Sequence, residues 1–236
     1  MFTKSEFSND PNLTVYDEGV MIYRNFIDAE TVKNITSIVD DVMKVKHKEE
    51  SRIPWYNDRT TPMIDELFPI WEKISAFLAP THVIHPKLEI TIMKPGDSMF
   101  VHEDSPGEGN EHMLTNYDVW NTCTTLDYGV IAYFGDWEGG EVYYPELDGL
   151  TIDPKPGDLV IHGATPQWKH GVKEVTSGIR YAYSNFCLPA SKNPKSFYNY
   201  GTQEYQDQLK DGLKVWHDPL YKNEREYADP GPNVPR

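Results

Sequence analysis

The sequence predicts a mainly β fold, a sandwich or jelly roll, with flanking helices on its N-terminal side. From Leu88 onward short apolar or alternating runs recur: LEITIM (88–93), SMFVHE (98–103), GVIAYF (129–134), EVYY (141–144), LTID (150–153), DLVIH (158–162) and RYAYSNF (180–186). Runs of this length and period read as strands. Between them stand KPGD, DWEGG, PELDG, PKPGD and VTSG, compositions that make turns. Many short strands at this spacing indicate two packed sheets and not βαβ units.

Before these strands the first third reads as helical. Asp28 stands as an N-cap, and Val32, Ile35, Val39 and Val42 recur at helical spacing up to about Lys46. Thr61-Pro62, a cap followed by proline at the first helical position, opens a second helix. It carries Leu67, Ile70, Trp71, Ile74, Phe77 and Leu78 and ends before Pro80, with a kink or a break expected at Pro69. Residues 105–127 form a polar, glycine-bearing insertion long enough for a lid, in or beside which Tyr117, Trp120 and Tyr128 are candidates to cover a substrate. The tail carries a helix near 203–215 and ends in DPGPNVPR. A single domain is expected: 1–87 as helical support, 88–188 as the β core, and 189–236 as a C-terminal helix and tail.

Charge and composition exclude several classes. The formal net charge is -15 and no basic cluster interrupts it, so duplex nucleic acid is not an expected partner. No run of 18 apolar residues exists, and MFTKSEFSNDPN lacks the apolar stretch of a signal peptide. No membrane association and a cytoplasmic location are therefore expected. Cys123 and Cys187 are too few for a disulfide framework or a thiolate metal site. Nothing in the sequence fixes an oligomeric state.

The chemistry begins at His102-Glu103-Asp104, which follows the strand-like MFV. Residues two apart on a strand project from one face, so an HxD aims an imidazole and a carboxylate at one point while Glu103 points away. One distant histidine completes a two-histidine, one-carboxylate face, which leaves octahedral positions open and suits Fe(II). Of the eight histidines, His162 at the end of DLVIH and His170 in WKHGV are the competing third ligands. Arg180, ten residues after His170, opens a neighbouring strand from which its planar fork can meet a carboxylate bidentately.

With HED (102–104), DWEGGEVYYP (136–145), LTIDPKPGDLVIH (150–162) and HGVKEVTSGIRYAYSNF (170–186), the stretch from about Leu88 to Leu188 resembles the catalytic domain of the prolyl 4-hydroxylase-like Fe(II)/2-oxoglutarate dioxygenases. The resemblance implies a double-stranded β-helix core with N-terminal helices packed on one sheet. It implies iron ligands at His102, Asp104 and His170, and Arg180 as the partner of the 2-oxoglutarate C5 carboxylate. Tyr133 falls where many relatives have a tyrosine able to hydrogen-bond the same carboxylate. Tyrosines that relatives place nine and three residues before the first histidine are here Met93 and Met99. Fe(II), 2-oxoglutarate, O₂ and ascorbate as reductant are the implied cofactors and cosubstrates. The implied reaction is hydroxylation with release of succinate and CO₂, most readily on a peptidyl proline. Asp104 retains the carboxylate that related halogenases lack, and Phe186 stands where nucleobase demethylases carry a second arginine. A free amino acid or another small molecule is the alternative substrate. A non-catalytic jelly-roll binding module and a cupin-like metalloenzyme independent of 2-oxoglutarate are the readings from other classes.

Overall fold

The computed structural model describes residues 10–46, 52–54, 61–78, 81–84, 89–104 and 128–189. In chain order these form β1 (Leu13–Asp17), β2 (Val20–Tyr23), α1 (Ala29–Lys46), β3 (Arg52–Pro54), α2 (Thr61–Leu78), β4 (His82–Ile84), β5 (Glu89–Met93) and β6 (Met99–His102). There follow β7 (Tyr128–Gly139), β8 (Val142–Tyr144), β9 (Leu150–Ile152), β10 (Leu159–Gly163), β11 (His170–Val172) and β12 (Val175–Pro189). Among the described residues, the larger sheet runs β1-β2-β10-β7-β12-β5-β3, with β4 also paired to β12; the smaller runs β6-β11-β8-β9. The strand pairs are antiparallel. The chain crosses from one sheet to the other between β7 and β8, back between β9 and β10, and again around β11. This is the expected jelly roll.

Strand alternation assigns each face of the larger sheet a different task. Met21, Val130, Ala132, Phe134, Leu159, Ile161, Tyr181 and Tyr183 join one buried cluster with Val32, Ile35 and Val39 of α1 and Leu67, Ile70, Trp71, Ile74 and Leu78 of α2. The intervening residues Val20, Ile22, Ile131, Tyr133, Val160 and Ala182 face the other way and pack with Val142, Tyr144 and Ile152 of the smaller sheet. The interior between the sheets is the space that receives the chemistry. Each fully buried aliphatic or aromatic side chain here contributes roughly 1.5–3 kcal/mol.

Three expectations need correction. The first third is not simply helical: β1 and β2 form a hairpin that extends the larger sheet, β2 pairing with β10 from Tyr23↔Leu159 to Val20↔His162. Its short strands alternate around an Asp17-Glu18-Gly19 turn, a signal that the helical reading passed over. α2 runs unbroken from Thr61 to Leu78 with Pro69 on its exposed side, so it is one helix and not two short ones. β6 ends at His102, so Asp104 sits on a bend just beyond the strand.

Tyr128 does not cover a substrate. It is 2% exposed in the helix-side core, and its ring meets His82 edge-on at 5.3 Å. The expected lid, with Tyr117 and Trp120, and the helix near 203–215 lie outside the described residues. Among the described residues no helix is long and apolar enough to cross a membrane.

Candidate metal centre

β6 ends on one histidine and β11 begins on another, and the antiparallel register sets His102 opposite His170. Their ring centroids are 4.6 Å apart. In each ring Nδ1 meets a carbonyl two residues back, Phe100 O at 2.9 Å from His102 and Trp168 O at 3.2 Å from His170. A carbonyl only accepts, so Nδ1 carries the proton in both rings and Nε2 keeps its lone pair for a ligand. Asp104 reaches in beside them. Its Oδ1 is 3.6 Å from His102 Nε2, and its Oδ2 is 4.0 Å from His170 Nε2. One ligand atom from each of the three residues lies within 4.8 Å of the others. Glu103 points away, as alternation requires, and its carboxylate lies 3.5 Å from Lys169 Nζ.

The protonation states suit a cation. Burial pushes the Asp104 carboxyl up, but the His102 ring beside it, the hydrogen bond from His162 and the field of the His162 and His170 imidazoles outweigh this and hold the group far below the usual carboxylate range. Burial, reinforced by His162, pushes His170 down to about 3. At neutral pH the site therefore offers an anionic carboxylate and a neutral imidazole, the forms that bind a metal. Two imidazoles and one carboxylate in this arrangement fit Fe(II) with open coordination positions.

His170 owes its place to a clamp. A single 3-10 turn, Pro166–Trp168, precedes it, and the Trp168 indole lies against Gly19 and Gly163. A β-carbon added at either glycine would come within 2.1 Å of the indole. The indole N–H donates to Asp17 Oδ1 at 2.7 Å, which ties the turn to the β1–β2 hairpin.

His162, the competing third ligand, lies at the same site in a different relation. It is 3% exposed on the interior face of β10 and touches the carboxylate, Nε2 to Asp104 Oδ2 at 3.1 Å. The ligand set that closes geometrically is His102, Asp104 and His170.

Arg180 lies on the same interior face, diagonal to Tyr133 through the Ala182↔Tyr133 and Arg180↔Gly135 register. The guanidinium is 3% exposed and stands 4.8 Å over the Tyr133 ring. Its Nη1 donates to Met93 Sδ at 3.2 Å, and its Nε has no partner. Among the described residues no carboxylate pairs with it. Met93, one of the two methionines where relatives place tyrosine, thus lies directly against the arginine. Met99, the other, packs beside Met93, Val172 and Val175. Tyr133 shares a buried cluster with Tyr144, whose ring lies 6.0 Å from that of His170.

Two contributors escaped sequence reasoning. Gly129 lies opposite His162 in the β7–β10 register, and Tyr144 sends its hydroxyl to His162 Nδ1 at 3.2 Å. Tyr144 lies within DWEGGEVYYP, but its bond to His162, like the place of Gly129, depends on which strands pair.

No family model matches the chain. Over 64 residues, 25% of this chain, it is 42% identical to prolyl 3-hydroxylase 1 of Gallus gallus, and that match spans 9% of the relative's length. Among solved structures it resembles the viral collagen prolyl hydroxylase of Paramecium bursaria Chlorella virus-1, solved as a 2OG complex. The TM-score is 0.54 at 16% identity over 73% of this chain and 96% of that one. A Phytophthora capsici prolyl 4-hydroxylase gives a TM-score of 0.52 at 14% identity, covering 86% and 70%. A Trichoplax adhaerens prolyl hydroxylase, solved with a hypoxia inducible factor peptide, gives 0.51 at 15%, covering 75% and 87%. The chain shares the prolyl hydroxylase fold.

Proposed function

We propose that this chain is a non-haem Fe(II)/2-oxoglutarate-dependent dioxygenase that hydroxylates a peptidyl proline. The observation that carries the reading is Arg180. A cation buried to 3% exposure with a bare Nε and no acidic partner among the described residues is costly unless an anion completes it. A dicarboxylate whose far end meets Arg180 while its near end reaches the three-ligand face satisfies both places at once.

In this reading His102, Asp104 and His170 hold the iron. Arg180 holds the C5 carboxylate through its planar fork, and Tyr133 is placed to add a hydrogen bond to it. Bound iron with 2-oxoglutarate and O₂ supplies the oxidative chemistry, in which the keto acid yields succinate and CO₂ and the substrate gains a hydroxyl group. The chain's own residues bind, orient and exclude water. Val172 and Val175 pack with Met93, which lies against Arg180, and give this side of the arginine an apolar wall. Ascorbate as a reductant that keeps the iron ferrous belongs to the same proposal. So does a reducing cytoplasmic setting, in keeping with Cys187 as a buried thiol. The proposed core is 88–188, supported by residues before it and followed by the tail at 189–236. A peptide substrate is favoured because the Trichoplax relative of the same fold was solved with a peptide.

The test is succinate release from 2-oxoglutarate by purified protein with Fe(II), O₂ and ascorbate. Proline-containing peptides are compared with free amino acids, and hydroxylated product is followed by mass. Peptide-stimulated succinate, absent from His170→Ala, is the expected result. No turnover by the wild-type protein, coupled or uncoupled, would overturn the proposal.

A further inference from the structure

The three-ligand reading leaves one buried imidazole at the site without a task. His162 presents Nε2 to Asp104 Oδ2 at 3.1 Å and Nδ1 to the Tyr144 hydroxyl at 3.2 Å. We infer that His162 is a positioning residue that fixes Asp104 as a ligand through one oxygen only. The inference rests on the metal-centre reading above.

The surroundings of His162 are built to hold it. Its ring lies along the His170 ring at 3.8 Å between centroids and 31° between planes, so it has little freedom to swing. Tyr144 is fully buried, which fixes the hydroxyl that meets Nδ1. The residue opposite His162 is Gly129, where any β-carbon would stand 2.5 Å from His162 Nε2 and 2.7 Å from Asp104 Oδ2. The missing side chain leaves room for the imidazole–carboxylate contact. The bonding pattern is self-consistent: the Tyr144 O–H donates to Nδ1, which leaves Nε2–H to donate to the carboxylate.

This contact has a coordination consequence. With Oδ2 engaged by His162, Oδ1, the oxygen 3.6 Å from His102 Nε2, is the one available to a metal. A carboxylate free at both oxygens can chelate, and on a six-coordinate ion this removes one of three open positions. Groups behind a ligand commonly set its orientation and affinity in this way.

The experiment titrates Co(II) into the metal-free full chain, following stoichiometry and affinity by calorimetry and the visible absorption band of the bound ion. Wild type, His162→Phe, His162→Gln, Tyr144→Phe and His170→Ala are compared. Wild type is expected to bind one ion. His162→Phe should still bind one, about 10- to 100-fold more weakly, with an altered band. His162→Gln, which restores an N–H donor toward Asp104, should recover most of the affinity and the wild-type band. Unchanged affinity and band in folded His162→Phe would overturn the inference while leaving the metal centre intact. If His162→Phe does not fold, Tyr144→Phe decides: a smaller loss with a shifted band supports the inference, and no change overturns it. Complete loss of binding in His162→Phe with retention in His170→Ala would overturn it by making His162 the ligand. No Co(II) binding by wild type would overturn the metal-centre reading itself, and this inference with it.

Discussion

At Gly129 the methyl of an alanine would meet two atoms of the site, His162 Nε2 at 2.5 Å and Asp104 Oδ2 at 2.7 Å. Such distances cannot be absorbed without moving the imidazole, the carboxylate or β7. Gly129→Ala is therefore expected to weaken Co(II) binding at least about 10-fold, as losses behind metal ligands do, and calorimetry checks this. Arg180 calls for the opposite pattern. Arg180→Leu removes the fork but touches no metal ligand, so Co(II) affinity should hold. The affinity of the Co(II)-loaded protein for 2-oxoglutarate should fall by about 100-fold, the roughly 3 kcal/mol expected when one side of a buried charged pair is removed. Equal 2-oxoglutarate affinity in the two proteins would remove Arg180 from the site. At this scale the sequence was informative where chemistry sits in local spacing. HxD, HGV and an arginine ten residues on are visible in a single line of residues. Gly129 was not legible, because its importance comes from lying across from His162 on a strand far away in the chain.

Between β9 and β10 the PKPGD turn does more than reverse the chain. The Asp158 side chain accepts from Arg24 Nη1 at 2.6 Å and from the backbone N–H groups of Asn25 and Lys155 at 3.0 and 2.8 Å. It thereby ties the β2–α1 connection to the strand that carries His162. The carboxylate is 2% exposed, so Asp158→Ala leaves the Asn25 and Lys155 N–H groups short of an acceptor, while Arg24 keeps the Asp153 carbonyl at 2.9 Å, and is expected to cost about 2 kcal/mol. The measurement is a shift of the urea midpoint with an unchanged slope. At the start of α1, Asp28 accepts from the Thr31 N–H at 2.9 Å and the Thr31 hydroxyl at 2.8 Å, and these bonds hold its carboxyl below the usual range. A carboxyl whose folded value is depressed adds stability above its unfolded value, near about 3.9, and loses it as pH falls through the folded value. The thermal-midpoint gap between wild type and Asp28→Ala should thus be constant from neutral pH to about pH 4 and narrow below. A gap that widened on acidification would contradict the cap. Both helices and most strands were legible because period and capping are local signals. The β1–β2 hairpin was not, because two short strands gain stability only from pairing with β10, a neighbour well over a hundred residues away.

The two sheets meet the site from different sides, and this bears on stability. His102 and His170 stand on β6 and β11 of the smaller sheet, while His162, bonded to Asp104, comes from β10 of the larger. The double-layer architecture was legible from strand count and turn spacing. The order of strands was not, since antiparallel pairing across long separations leaves no local trace. An ion held by His102, Asp104 and His170 closes the β6–β11 edge and, through the Asp104–His162 contact, links it to β10. The unfolded chain has no such constellation, so the ion binds the folded state alone and stabilises it by mass action. At a free Co(II) concentration 100 times the dissociation constant, the gain is about 2.7 kcal/mol. For a chain of this size that raises the unfolding temperature by roughly 5–10 °C. Differential scanning calorimetry with and without Co(II) should show this rise, and EDTA should reverse it. Arg180→Leu should keep the rise, because in the proposed reading its side chain meets the cosubstrate and not the ion. His170→Ala should abolish it, having lost a ligand from β11. A rise that survived in His170→Ala would place the stabilising ion elsewhere in the chain, and the absence of any rise in wild type would count against a metal centre at these residues.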